Sequence, residues 1–332
     1  MQLTNLLKEE RLSHSEHIQQ KTKNDSASVN KNQFESRTEI SDLPNEILVK
    51  IVNFLPTRDI LVNVGLVSKH LNDVSKDSYV GLNVKLTTEK TGQPEVIQNV
   101  LSLRNKQIKT LEVSLFSSQA METMSSVIGQ QLSQLKKLFI RNLPSPSLKQ
   151  LLENIFQLKN LKDLSLVGPL EEFSLATIGE CRQLERLHFI LRPSYVLSDL
   201  EFRQILSLKN LTSLNLRHCQ LNFNLETSSF PVNQSCTKMQ LISDLAEPPV
   251  PLSYIKFITS HFPKLKRLEI KCREIKVDSF EDLSKFLRSL FARCKHLELV
   301  GFYCNSFDIK KFNSQFRGWT SLGSKDIRLY KI

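Results

Sequence analysis

Residues 211–221, LTSLNLRHCQL, decide the fold of most of this chain. Successive side chains of a β-strand point to opposite faces, so Leu214 and Leu216 share one face and their neighbours share the other. The spacing L-x-x-L-x-L recurs on both sides of this stretch. We place the centres of its copies at positions 82, 111, 138, 164, 187, 214, 239, 268, 297 and 327, which differ by 23 to 30 residues. A period of this size predicts a repeat protein.

Helix-length apolar segments lie between most of these strands, at residues 95–103, 121–132, 147–158, 199–208, 252–262 and 280–291. One strand and one helix per turn predict an α/β solenoid of about ten turns, in which each turn buries its apolar face against its neighbours. The series resembles the leucine-rich repeat, and residues 211–221 fit the cysteine-containing form of that repeat, with Cys219 at the marked position. We assign residues 79–332 to this repeat domain. Residues 222–235 are polar and helix-poor, which predicts an irregular, protruding loop.

The basic charge of the chain belongs to the repeats. The chain carries a formal net charge of +11, while residues 81–332 hold 35 basic and 23 acidic side chains. Strand alternation places the residues beside and between the leucines on the inner curve of the solenoid. The cations at those positions are our candidate target-binding residues: Lys137, Arg141, Arg186, Arg217, Lys238, Arg267 and Lys271.

This inner surface predicts an acidic or phosphorylated protein target, because clustered arginines can form paired hydrogen bonds with phosphate. We expect Arg186, Arg217 and Arg267 to lie close to one line across the curve, and Arg186 and Arg217 to reach one phosphate together. The alternative is that the cations form a solvated face without a ligand.

Residues 40–77, ISDLPNEILVKIVNFLPTRDILVNVGLVSKHLNDVSKD, have a different pattern. Pro44 suits the start of a helix and Pro56 ends it. Thr57 and Ser68 suit the caps of two further helices, so the stretch predicts three short helices. Apolar residues at a four-residue spacing form a stripe on the first helix. That stripe consists of Leu43, Ile47, Ile51 and Leu55, with Leu48 and Val52 on a neighbouring one.

The wording of this stretch, Leu43-Pro44-x-Glu46-Ile47-Leu48 followed by Ile51 and Leu55, resembles the F-box. We bound the F-box at residues 40–78. The resemblance implies docking to the Skp-type adaptor of a cullin–RING ubiquitin ligase, through the residues Leu43, Pro44, Ile47, Ile51 and Leu55. Residues 1–39 contain few large apolar groups and equal numbers of acidic and basic ones, which predicts a disordered tail.

Residue patterns of catalysis or cofactor binding are absent from the sequence. No GxGxxG or GxxxxGK[ST] loop occurs, the seven histidines form no HExxH pattern, and the six cysteines include no CxxC pair. We therefore expect a non-enzymatic protein without cofactor or metal. No run of 18 apolar residues and no secretory signal pattern occurs, so we expect a protein without a membrane span that is cytoplasmic, nuclear or both.

Two functions fit these features. The first is the substrate-recognition subunit of an SCF-type cullin–RING ubiquitin ligase, in which the F-box docks the adaptor and the repeats bind the target. The second is a non-proteolytic F-box scaffold whose basic repeats bind an acidic partner, nucleic acid or a membrane surface. Nucleic acid alone is an unlikely partner, because the repeat offers no helix for a groove and no motif of stacking aromatics.

Overall fold

The structure is a computed structural model that describes residues 39–87, 98, 101–102, 104–114, 118–141, 148–168, 175–221, 230–242, 250–272, 275–276, 279–303, 319–320 and 326–331. Apart from Glu39, the predicted disordered tail lies outside the described residues. The chain divides into two compact units, Met1–Gly81 and Leu82–Ile332.

The first unit is helical. After a 3-10 turn at Ile40–Asp42 it contains four short helices: α1 (Asn45–Val52), α2 (Thr57–Val62), α3 (Val64–Val67) and α4 (Lys69–Ser75). Pro44 and Pro56 precede α1 and α2 as their N-caps, and Ser68 Oγ accepts a hydrogen bond from the Leu71 N–H at 3.1 Å to cap α4. The prediction of three helices is wrong in one respect, since the middle segment is divided at Asn63 into α2 and α3.

The second unit is built on one long sheet. Its strands are β1 (Leu82–Thr87), β2 (Ile108–Ser114), β3 (Lys137–Arg141), β4 (Asp163–Val167), β5 (Arg186–Leu197), β6 (Ser213–Leu221), β7 (Lys238–Ile242), β9 (Arg267–Lys271), β11 (Leu299–Tyr303), β12 (Trp319–Thr320) and β13 (Asp326–Lys331). The spatial order is β1-β2-β3-β4-β5-β6-β7-β9-β11-β13-β12. The first nine described strands in this spatial order, which end with β11, are parallel to one another. The next strand, β13, pairs antiparallel with β11. The predicted tenth centre at position 327 therefore lies in a strand, but not in a further repeat.

Helices connect most of the parallel strands, and their buried residues form one apolar core with the strand leucines. They are α5 (Ser118–Gln131), α6 (Leu148–Phe156), α7 (Asp199–Leu206), α8 (Leu252–Ser260) and α9 (Phe280–Arg293), with a 3-10 turn at Leu175–Glu180 and a small separate sheet of β8 (Val250–Pro251) and β10 (Ile275–Lys276). Most of the predicted helix at residues 95–103 lies outside the described residues. This architecture confirms the predicted α/β strand–helix solenoid.

The strand register stacks the repeat leucines. Leu138 pairs with Leu164, Leu164 with Leu187 and Leu187 with Leu214, and each of these side chains is at most 1% exposed. The ninth centre, predicted at position 297, is wrong by three residues, because Val300 is the register partner of Leu268. The prediction was wrong because it took Cys294, the C-cap of α9, as the first apolar position of the repeat.

Part of the predicted protruding loop is packed. Residues 222–229 lie outside the described residues, but the Phe230 ring lies 4.9 Å from that of Phe257 in α8 and beneath the Arg203 guanidinium of α7. Asn233 is 2% exposed and donates to the carbonyl oxygens of Leu206 and Leu208 at 3.2 and 2.8 Å. Residues 230–235 are irregular, as predicted, but they do not protrude, because Asn233 supplies buried hydrogen bonds in place of a helix.

Candidate binding surfaces

Helix α1 carries an apolar surface that its own unit leaves open. Leu48 and Val52 are buried, at 0% and 2% exposure, and form the inner side of the helix. On the other stripe, Ile47 and Leu55 are 39% and 38% exposed. The remaining predicted adaptor-binding residues differ in exposure: Leu43 and Ile51 are half-buried and Pro44 is exposed.

Further large apolar side chains of this unit are exposed: Ile40, Phe54, Leu61, Leu66, Val67 and Tyr79. Phe54 is the most open of them, at 90% exposure. Sequence reasoning missed them because they lie in turns or on helices of four to six residues, where a four-residue period has no length to show. Exposed apolar surface of this kind marks an interaction site.

Asn53 joins the end of α1 to the chain after α4. Its side chain donates to the Tyr79 carbonyl oxygen at 3.2 Å and accepts from the Gly81 N–H at 2.7 Å. These two bonds hold the end of α1 against residues 79–81, where the helical unit ends.

Comparison with known families identifies this unit. Residues 40–80 match the model of the F-box-like family. They form an F-box-like domain. F-box proteins are typically non-catalytic adaptors, and the F-box implies binding to a Skp-type adaptor.

Other comparisons are less informative. No curated protein matches the chain. Among solved structures, an LRR protein of Leptospira interrogans is similar at 15% identity and a TM-score of 0.24, over 64% of this chain and 69% of that one. A likeness of this size supports no conclusion about function. The repeat assignment rests instead on the chain's own parallel sheet and stacked leucines.

The face of the repeat sheet opposite the buried leucines consists, in the described strands, of three rows of side chains. The first row contains Thr110, Lys137, Asp163, Arg186, Ser213, Lys238 and Arg267. The middle row contains Glu112, Phe139, Ser165, His188, Asn215, Gln240 and Glu269, and the third row contains Ser114, Arg141, Val167, Ile190, Arg217, Ile242 and Lys271. All seven predicted target-binding residues lie in the first and third rows.

Four of these seven cations interact with neighbours on the same face. Arg186 Nε lies 2.8 Å from Asp163 Oδ2, and an Arg141 nitrogen lies 3.4 Å from Glu112 Oε1. Lys271 Nζ lies 3.8 Å from Glu269, and Arg217 donates to Asn215 at 3.4 Å. The charge of Arg186, Arg141 and Lys271 is thus partly balanced before any ligand arrives, whereas the bond of Arg217 to a neutral amide balances no charge.

The other three, Lys137, Lys238 and Arg267, are exposed and have no carboxylate partner among the described residues. Lys238 and Arg267 are register partners on β7 and β9. Neighbouring strands are about 4.8 Å apart, so these two side chains can reach one anion.

The expectation that Arg186 and Arg217 share a phosphate is wrong. Arg186 pairs in register with Ser213 and Arg217 with Ile190, so the two arginines lie in different rows. Four residues along a strand separate the rows by about 13 Å. The sequence places both residues on one face. The row of each residue is given by its position relative to the central leucine of its own strand.

His188 lies at the centre of this face. Its Nε2 is buried and has no hydrogen-bond partner among the described residues. Burial lowers the pKa of His188, and the positive charge of Arg217 lowers it further, while Asp163 acts in the opposite direction. Beside it, Asn215 donates to Gln240 at 2.7 Å and Gln240 donates to Glu269 at 3.0 Å. This arrangement can form hydrogen bonds with a ligand around a neutral imidazole.

The described residues offer little for catalysis. They include no group of three His, Cys, Asp or Glu side chains placed to hold a metal ion. Burial raises the pKa of the Cys181 and Cys236 thiols to about 12, so neither is a nucleophile at neutral pH. None of the described helices is long and apolar enough to cross a membrane.

Proposed function

We propose that the chain is the substrate-recognition subunit of an SCF-type cullin–RING ubiquitin ligase. The F-box-like domain docks the Skp-type adaptor, and the open face of the repeats binds an acidic or phosphorylated target. The observation that carries the proposal is the apolar side of α1 and of the turn after it, where Ile47 and Leu55 stay more than a third exposed while Leu48 is fully buried.

The energetics favour a partner on that side. Full burial of an Ile or Leu side chain contributes about 1.5–3 kcal/mol. Ile47, Ile51 and Leu55 retain part of this free energy unrealised, because each is only partly covered within the chain. In such a complex the protein contributes positioning, since holding target and conjugating enzyme together raises their effective concentration.

The decisive substitution is Ile47→Asp. It should weaken binding to a Skp-type adaptor by about 2 kcal/mol or more, roughly 30-fold, as expected for a central anchor. The thermal midpoint should stay near that of the wild type, because the side chain already contacts solvent. Asn45→Asp adds the same charge at an exposed position of the same helix and serves as the matched control. Wild-type adaptor affinity in the Ile47→Asp protein would exclude the docking mode.

Affinity purification with the two variants then separates receptor from scaffold. A receptor co-purifies with a cullin through the adaptor, and Ile47→Asp lengthens the half-life of its target. A scaffold co-purifies with the adaptor alone, and no partner changes its half-life. Partners that the Ile47→Asp protein retains belong to the repeats.

A further inference from the structure

The basic residues of the repeats are concentrated along the edge of the sheet where the parallel strands begin. Eight five-residue segments end at the first-row residue of each strand from β2 to β11: residues 106–110, 133–137, 159–163, 182–186, 209–213, 234–238, 263–267 and 295–299. They contain fourteen Lys and Arg and three Asp and Glu. Their net charge of +11 equals that of the whole chain. We name these segments the basic ridge.

Backbone hydrogen bonds align the basic ridge. The residue before the first row of each strand donates its N–H to the corresponding carbonyl of the preceding strand, at 2.8–2.9 Å, along the series Lys109, Lys136, Lys162, Glu185, Thr212, Thr237, Lys266 and Glu298. Side chains two residues before these donors repeat the stacking. Asn160 donates to the Ser133 carbonyl oxygen and Asn210 to that of Arg182. The ridge is therefore a fixed line and not a set of independent loops.

The cations of the ridge are available to a ligand. Thirteen of the fourteen are exposed, and Lys109 is half-buried. Two of them are paired, Lys162 with Glu185 and Arg186 with Asp163, and the other twelve have no carboxylate partner among the described residues. Mutual repulsion is evident at Lys109, whose pKa is lowered by partial burial and then by the charge of Lys136.

The ridge lacks the other features of a protein or membrane interface. None of the exposed large apolar side chains lies in the eight segments. Protein interfaces take most of their affinity from buried aromatic or apolar anchors, and amphipathic membrane contacts insert such groups. Eleven of the fourteen cations are lysines, which act as point charges and suit contacts that depend on charge more than on paired geometry.

We propose that the basic ridge binds the phosphate backbone of double-stranded DNA without reading sequence. Seven strand spacings of about 4.8 Å make the ridge roughly 34 Å long, the length of one turn of the duplex. One strand of the duplex carries one charge per about 3.4 Å of axis. A net charge of +11 over roughly 34 Å gives the ridge about one positive charge per 3 Å, which matches one strand. The sequence argument against nucleic acid concerned groove reading and base stacking, and contacts to the phosphates of a duplex need neither. The proposal is independent of adaptor docking.

The test is anisotropy of a labelled DNA duplex of about 20 base pairs with the full chain, at several salt concentrations. With about six phosphate contacts, affinity should fall roughly 10³-fold between about 50 and about 200 mM salt, and it should be equal for unrelated sequences. Lys136→Glu/Lys266→Glu should weaken binding about tenfold or more and lower the salt slope by about 2. Lys256→Glu/Arg288→Glu has the same charge change on α8 and α9, and it should bind within about twofold of wild type.

Several results would overturn the proposal. Among them are equal losses in the two double variants at matched thermal midpoints, which would indicate net charge alone, and a salt-insensitive interaction. Tighter binding of an RNA duplex, of polyglutamate or of phosphatidylserine vesicles would assign the ridge to that partner class instead. Unchanged affinity in Lys136→Glu/Lys266→Glu would place any DNA contact elsewhere on the chain.

Discussion

Lys238 and Arg267 are the pair of predicted target-binding residues that the register brings together without a carboxylate partner among the described side chains. Lys238→Glu/Arg267→Glu should abolish capture of an acidic or phosphorylated target and leave adaptor affinity unchanged. Arg267→Lys should weaken capture less, because an ammonium keeps the charge but cannot form the paired contact. Arg217→Glu, one strand away and in another row, should reduce target capture less than Lys238→Glu/Arg267→Glu does. Co-purification of targets with each variant measures this, and equal capture by all of them would leave the open face a solvated surface.

His188 makes the stability of the repeats depend on pH. Burial and Arg217 hold the pKa of His188 below its ordinary value in the folded chain, so the unfolded chain binds the proton more readily. The stabilising effect is complete above the unfolded pKa of about 6.5 and is lost as pH falls through that value towards the folded pKa. His261, whose pKa burial also lowers, acts in the same direction.

We therefore expect the thermal midpoint of the full chain to fall between about pH 7.5 and about pH 5.5. His188→Gln, which does not titrate, should remove part of that fall. Thermal melts at a series of pH values measure it. If the thermal midpoints of the variant and the wild type fall equally with pH, the His188 imidazole has the same pKa in the folded and the unfolded chain.

At the scale of elements, each strand depends on two inward side chains. Leu164 and Leu214 are 0% and 1% exposed, so Leu→Ala at either should destabilise by about 2–5 kcal/mol. Lys162 and Thr212, two positions earlier, are exposed, and alanine there should cost about 0.5 kcal/mol or less. Denaturant unfolding of the four variants measures the difference. Equal costs at all four positions would mean that the strand register is wrong.

Regular elements were predictable where packing follows a period. The leucine spacing located the strands around positions 111 to 268, because a strand buried on one face needs alternate apolar residues. The apolar stripe of the first F-box helix was also readable, since Ile47, Ile51 and Leu55 recur every four residues, but α1 ends at Val52 and Leu55 lies in the turn after it. The division of the second F-box helix at Asn63 was not, because two turns of helix are too short to show a period.

Interactions across the sheet were not predictable from local pattern. The ion pair of Arg186 with Asp163 depends on how neighbouring strands align, which single strands do not encode. Asn233 reads as an ordinary polar loop residue, and its burial depends on carbonyl groups more than 20 residues away in sequence. The basic ridge was not predictable either, because it depends on where the turns before the strands lie and on how those turns stack.

At the scale of the whole molecule, the repeats share one continuous apolar core that extends from Leu86 to Val300. Each repeat stacks on its neighbours, so a cavity in one of them weakens its contact with the next. The charge is arranged differently from the core, since the net positive charge of the entire chain equals that of one edge of the sheet. A stable array therefore presents two polar surfaces, the open face and the basic ridge, which share the residues of the first row.

Strand direction at the C-terminal margin sets the length of this array. A sheet of parallel strands is a template on which a second molecule can add its own first strand, and repetition of that step gives a fibre. Here β13 runs against β11, and the outermost strand, β12, has two residues. The stacked leucines cannot continue across such a margin into another copy. The antiparallel strand β13 thus ends the parallel array and opposes end-to-end stacking of separate copies into a fibre.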